Sequence, residues 1–239
     1  MPEPLCHYTS REPQLHSSEP ALIDREDERA ALERLADSGR PHLALLTSRR
    51  RVGKTYLLAH AWGERTSFYF TASRTTPEIN RCQLVEDLAA WSGEPLRAED
   101  YPTWRAVFNL LLDLPGRGIL GRSAPGTLVV VLDEFQYLGD GDSGAAEVAS
   151  ELNAAWERRR ETQPLLLVLA GSAVGTMAAL AGGGGPLYRR FSWYGRLRLF
   201  GAWHAAEMAP FEDLREGRSR TGSSAERRAT SRQSTRHGP

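Results

Sequence analysis

The sequence predicts an α/β fold, a parallel sheet with helices packed on both faces. Three observations carry that expectation. Short apolar runs alternate with longer stretches of helical periodicity, the pattern of repeated strand–helix units. Two of the runs, "TLVVVLDEF" and "PLLLVLAGS", are apolar on both faces until they end in polar residues, as strands covered from above and below should be. With 239 residues, 41% of them hydrophobic and 25% charged, the chain is long enough for one such core and has the balance of a folded globular protein.

Each element follows from its local pattern. Residues 1–20 are polar, carry four prolines and show no apolar period, so a disordered arm is expected there. In "ALIDREDERAALERLADSG", Asp24 is placed to cap a helix whose Ala31, Leu32 and Leu35 share one face, with Gly39 as its stop. "HLALLT" reads as a buried strand, "TYLLAHAW" as the helix after it, and "SFYFTA" as a short strand. A helix is expected around Ile79 to Trp91. Trp104, Val107, Phe108, Leu111 and Leu112 recur at the spacing of an amphipathic second one. Turn-rich "PGRGILGRSAPG" leads into the strand "TLVVVLDEF", and "AAEVASELNAAWERRRE" is helical with Val148, Leu152, Ala155 and Trp156 inward. After "PLLLVLAGS", a short helix over Val174 to Leu180 gives way to a flexible glycine run at 182–185, and "RLRLF" is the expected last strand.

Composition narrows the function classes. No apolar run reaches the length of about 18 residues that spans a bilayer, and "MPEPLCHYTSREPQ" lacks the apolar core of a secretory signal, so a cytoplasmic protein is expected. Cys6 and Cys82 are too few for a disulfide framework or a thiolate cluster. The six histidines show no metal-ligand spacing. Formal charge is zero overall, yet the segment from Arg215 onward holds seven Arg and two Glu, leaving a mildly acidic body. This basic stretch, with two alanines as its only aliphatic side chains, is expected to be disordered from 212 to 239.

One lysine, Lys54, stands among 29 arginines. It lies in "SRRRVGKT", where backbone N–H groups, a following helix N-terminus and a compact ammonium would together hold phosphate. An ammonium on a thin stem fits inside a tight phosphate-wrapping loop, whereas a planar guanidinium does not. The expected phosphate-binding residues are Ser48, Arg49, Arg50, Arg51, Val52, Gly53, Lys54, Thr55 and Tyr56, with the Thr55 hydroxyl on Mg²⁺. Ser48 occupies the first glycine position of G-x-x-x-x-G-K-[ST]; if the backbone there needs a positive φ, serine costs about 1 kcal/mol or more.

"LVVVLDEFQYL" supplies the complement. Asp133 and Glu134 end a buried strand where open α/β sheets bind ligands. Asp133 is the candidate to hold Mg²⁺ through water together with Thr55. Glu134 is the candidate to orient and deprotonate an attacking water. Ser172, at the end of the next buried strand, is a candidate reader of the γ phosphate or of that water. "AGSAVG" does not have the G-x-S-x-G spacing of a serine hydrolase.

Together "LIDREDERAALERL", "SRRRVGKTYLL", "VLDEFQYL", "LAGSAVGTM" and "PLYRR" resemble the archaeal-type P-loop ATPases, relatives of the AAA-like and signal-transducing ATPases, over residues 21–211. The arginines before "VGKT" belong to that family's pattern; glycine is its usual residue at the position of Ser48. The resemblance implies a three-layer P-loop NTPase with an extra strand between the Walker A and Walker B strands, and Glu134 as base. It also implies Ile23 and Arg25 near the adenine, Ser172 as polar sensor, and Arg190 meeting the γ phosphate in cis or from a neighbouring subunit. Members continue into a helical lid and a C-terminal domain; here the chain turns Arg/Ser-rich instead, so both are expected to be missing and nucleotide to be held more loosely.

The expected function is Mg²⁺-dependent binding and hydrolysis of ATP. The alternative is a nucleotide-dependent switch or assembly module with negligible turnover, motivated by Ser48 and the missing lid. A small-molecule kinase fits less well, since Glu134 directly after Asp133 suits water activation. Beyond ATP, the expected partners are a second copy or an unidentified protein, with no membrane. A nucleic-acid contact rests only on the arginine tail, where binding would be non-specific and salt-sensitive.

Overall fold

The computed structural model describes residues 25–63, 65–117, 126–141, 143–161 and 163–198. The arm at 1–20, Ile23, Asp24 and the segment 212–239 therefore lie outside the described residues.

Helix α1 (Glu26–Asp37) carries Glu26, Asp27 and Glu28 in its first turn, where carboxylates complement the helix dipole. It is followed by β1 (His42–Ser48), α2 (Lys54–His60), β2 (Ser67–Thr71), α3 (Pro77–Ser92), α4 (Trp104–Arg117), β3 (Leu128–Asp133), α5 (Gly144–Trp156), β4 (Leu165–Gly171), α6 (Val174–Ala181) and β5 (Trp193–Leu197). Helix α3 shows why the boundaries fall where they do. The Thr76 side chain accepts the Ile79 N–H, Pro77 opens the first turn, and Gly93 closes the helix in the left-handed region.

All strand pairs are parallel and the order is β2-β3-β4-β1-β5. Strand β4 thus stands between β1 and β3, the extra strand the resemblance implied. Alternation along each strand feeds two separate cores. Leu43, Leu45, Val130, Leu132, Leu167 and Leu169 face α3 to α6, whereas Ala44, Leu46, Val129, Val131, Leu166 and Val168 face α1 and α2. That is the three-layer α/β/α arrangement. Because β1, β3 and β4 are buried at every position but His42, they read as continuous apolar runs.

Two boundaries differ from the sequence reading. Strand β5 begins at Trp193 instead of Arg196: only Gly195 and Leu197 of this edge strand are buried, so its alternation is too weak to locate by hydropathy. Helix α5 stops at Trp156, before the arginine run. The four glycines at 182–185 form a tight turn, in which the Gly185 N–H donates to Gly182 O and the Leu187 N–H closes onto Leu180 O.

Candidate functional site

Parallel strands end along one edge, so β1, β3 and β4 deliver Ser48, Asp133 and Ser172 to the same side of the sheet. Past β1 the chain wraps through Arg49 to Gly53 and enters α2, where Gly53 (φ +83°) takes the left-handed conformation that a side chain would penalise. Ser48 is the last residue of β1, paired with Leu197, and has no positive φ. The non-glycine residue of this loop in the left-handed region is Arg51 (φ +62°). Serine at position 48 therefore carries no backbone penalty; its cost is a buried hydroxyl that lacks a hydrogen-bond partner among the described residues.

Strands β1 and β3 are two strand spacings apart, about 10 Å, and the Lys54 side chain spans that gap above β4. Its Nζ pairs with Asp133 Oδ1 and lies 3.3 Å from Glu134 Oε1. Lys54 and Asp133 are buried, with 6% and 2% of their side chains exposed, so they make a desolvated ion pair. Asp133 is held from four directions: besides Lys54, it accepts from its neighbour's Glu134 N–H (2.7 Å), the Thr55 hydroxyl (3.2 Å) and the Tyr69 hydroxyl (2.6 Å). Burial and then the adjacent Asp133 carboxylate push the Tyr69 hydroxyl far above tyrosine's usual range, so it remains a proton donor.

Glu134 leaves the strand in the left-handed region (φ +54°), a conformation that costs a non-glycine residue about 1 kcal/mol or more. Strain of this kind gathers at functional positions. Here the turn aims the carboxylate back at Lys54 and β4. Ser172 Oγ donates to Glu134 Oε2 at 2.7 Å, and Gln136 Nε2 donates to the same oxygen. Burial raises the Glu134 pKa, but the Ser172 hydroxyl, the Lys54 ammonium and the Gln136 amide outweigh it, so the carboxyl lies below the ordinary glutamate value. Gly171 makes room for Gln136: a Cβ there would come within 2.3 Å of Gln136 Oε1.

Above this cluster opens a cavity of about 580 Å³, lined by the loop from Ser48 to Tyr56 together with Ala72, Ser73, Arg74, Glu134, Tyr137 and Ser172. Asp133 forms no part of its surface and sits beneath Lys54. Arg50 donates to the Tyr137 hydroxyl (2.9 Å) and the Arg74 guanidinium lies over the Tyr137 ring. Tyr56 stacks on His60 within α2. Buried Arg25 donates to Val52 O (3.2 Å) and Arg198 O (2.7 Å), tying α1 to the phosphate loop and the end of β5.

Arg190 is not brought to this cluster. It donates to Asn153 Oδ1 (3.0 Å) and pairs with Glu157, at the C-terminal end of α5. Ser192 N–H bonds to Leu43 O, and Trp193 pairs with Ala44 near the start of β1. Arg190 therefore lies at the opposite edge of the sheet, about 20 Å from the phosphate loop by the rise of β1. Adjacency to a glycine turn in sequence said nothing about which edge the chain had reached. Conversely, Tyr69, Arg74, Gln136 and Tyr137 join the site without having been singled out. The only local signals were a glutamine and a tyrosine directly after the acidic pair in "DEFQYL".

A family profile described as an ATPase domain predominantly from Archaea matches residues 22–226. The chain belongs to this ATPase family. Among solved structures, the ATPase domain is similar to the Walker-type ATPase PABY2304 of Pyrococcus abyssi, with 26% identity and a TM-score of 0.56, over 78% of this chain and 56% of that one. It is also similar to the ORC2 protein of Aeropyrum pernix, in a structure of its ADPNP–ADP complexes, at 17% identity and a TM-score of 0.58, over 79% and 51% of the two chains. The second likeness is one of fold. The ATPase domain thus spans about half the length of these relatives. No curated protein matches it. Among the described residues, no helix is long and apolar enough to cross a membrane.

Proposed function

We propose that the domain binds ATP with Mg²⁺ and hydrolyses the β–γ anhydride, with Lys54, Thr55, Asp133 and Glu134 as its working residues. One observation carries the reading: the chain's single lysine meets the Asp133–Glu134 pair directly under the cavity wrapped by the phosphate loop. A surface ion pair would be solvated. This one is buried beneath an anion-sized hollow whose rim carries Arg49, Arg50 and Arg51.

The oxygen donors fit a hard cation: the Thr55 hydroxyl and the Asp133 carboxylate lie 3.2 Å apart and are the groups that would hold Mg²⁺, Asp133 through water. When bound, the ion would neutralise charge on the β and γ oxygens. Without nucleotide, Lys54 is neutralised by the two carboxylates; phosphate oxygens in the cavity give its ammonium a third set of acceptors and release Asp133 from it. Glu134, held by Ser172 and Gln136, takes the proton from the attacking water as its oxygen bonds to the γ phosphorus and the bond to the β–γ bridging oxygen breaks. Positioning and charge neutralisation supply most of the acceleration.

A second reading, a nucleotide-dependent switch with negligible turnover, is favoured by the Glu134 carboxyl itself. Hydrogen bonds from Ser172 and Gln136 and the nearby ammonium lower its basicity. Titrating the purified chain with ATP, with and without Mg²⁺, and then measuring phosphate release separates the readings. Binding with release supports hydrolysis, and binding with release at the buffer level supports the switch. No binding in either condition sinks both.

A further inference from the structure

The nearest exposed guanidinium from outside the phosphate loop is Arg74, in the connection between β2 and α3. It lines the same cavity as Glu134 and Ser172. Its backbone is fixed with unusual firmness for an exposed arginine. Asn80, fully buried, accepts the Ser73 N–H (3.0 Å) and donates to Ser73 O (3.0 Å) and Tyr137 O (2.8 Å). A single amide thereby brackets the residue before Arg74 against the turn that follows Glu134. The Tyr137 N–H in turn bonds to Glu134 O (2.8 Å), so Arg74 and Glu134 are built on one rigid frame.

The Arg74 side chain, by contrast, is only parked. Its guanidinium rests over the Tyr137 ring, 5.0 Å from the centroid, where an exposed cation–π contact is weak. Arg50 approaches the hydroxyl of the same tyrosine from the phosphate loop. Two guanidiniums are thus held at the mouth by one ring, and neither forms an ion pair with a carboxylate among the described residues. A cation that is anchored at its base, loosely held at its tip and turned toward an anion cavity is arranged to accept the anion.

We propose that Arg74 is a γ-phosphate ligand of this domain, contributed in cis from the β2–α3 connection. This rests on the reading of the cavity as an ATP site and assigns the terminal phosphate to it. Lys54 sits on the α2 side of the cavity and Arg74 on the β2 side, next to Glu134, so Arg74 contacts the group that ATP has and ADP lacks. Its planar fork can bind two phosphate oxygens at once, and a lysine there would bind as a point charge only.

The test compares ATP and ADP affinity by titration calorimetry, in Mg²⁺, for the wild-type chain and for Arg74→Ala and Arg74→Lys, with phosphate release measured on the same samples. Arg74 is exposed, so neither substitution disturbs the core. The expected result is that Arg74→Ala weakens ATP roughly 10- to 100-fold, the value of a lost charge-assisted hydrogen bond, and leaves ADP within about twofold. Arg74→Lys recovers part of the preference for ATP. Equal weakening of both nucleotides, or no change in either, overturns the assignment while leaving the ATP site intact. A wild-type chain that binds neither nucleotide overturns the site reading and this assignment together.

Discussion

Replacing Lys54 by methionine removes the ammonium and keeps an unbranched stem of similar length, so it isolates the charge. At the 3.3 Å separation from Glu134 the gross attraction is about 5 kcal/mol for an effective dielectric constant of about 20, and Asp133 is a second, closer partner. Most of that is offset by the cost of desolvating the ammonium. Removing one member of a buried pair typically costs about 3–5 kcal/mol, because the other is left buried and uncompensated. Asp133 keeps three donors, Thr55, Tyr69 and the Glu134 N–H, which places Lys54→Met at the lower end, about 3 kcal/mol. For a domain of this size that is a fall of about 6–12 °C in the melting temperature. Asp133→Asn alone leaves Lys54 with Glu134 and should cost about 2 kcal/mol; the double variant, with both charges gone, should cost about 1 kcal/mol. Urea or thermal melts of the four proteins in nucleotide-free buffer measure the cycle. If the two single costs simply add in the double variant, Lys54 and Asp133 are not coupled and the buried pair has no energetic reality.

Three further outcomes follow from the same geometry. Tyr69→Phe removes one donor from Asp133 Oδ2; the loss of this charge-assisted bond should destabilise the chain by about 1.5–3 kcal/mol in melts, and an unchanged midpoint would remove Tyr69 from the account. Because the Glu134 pKa is lowered on folding, its ionised form stabilises the native state above the ordinary glutamate value of 4.5, and this contribution is lost as pH falls through the lower folded value. The stability advantage of wild type over Glu134→Gln should therefore shrink between about pH 6 and about pH 3, and a difference that stays constant would contradict the shift. Asn80→Ala should leave the partly buried Ser73 and Tyr137 backbone groups without their partner, at a cost of about 1–3 kcal/mol, read by denaturant titration; a cost within error of zero would mean that the bracket behind Arg74 is not formed.

Much of the fold could be read from local pattern, because the strands that matter are buried on both faces. A run such as "LVVVLD" has no alternation to confuse with a half-exposed strand or a helix, and its end at Asp133 is marked by a change of polarity. Strand β5 shows the reverse. With Tyr194 and Arg196 exposed on an edge, hydropathy could not say whether pairing began at Trp193 or Arg196. In the site, Gly53, Lys54, Asp133 and Glu134 were legible because each is bound to a local requirement: a left-handed turn, a helix start, a strand end. Tyr69 and Arg74 act through partners 64 and 63 positions away, and no spacing rule encodes such distances. The in-cis placing of Arg190 failed for the same reason, since the edge of the sheet on which a loop lies is set by strand pairing and not by neighbours in sequence.

The central claim is that one cluster both holds a triphosphate and activates the water that cleaves it, with Glu134 doing the second task and not the first. The direct measurement is ATP affinity and single-turnover phosphate release on the same preparation of Glu134→Gln, in saturating Mg²⁺. The account predicts ATP affinity within about threefold of wild type, since the glutamine keeps the size of the side chain, and a cleavage rate lower by at least about 100-fold, as removal of a general base requires. Cleavage at the wild-type rate would contradict it.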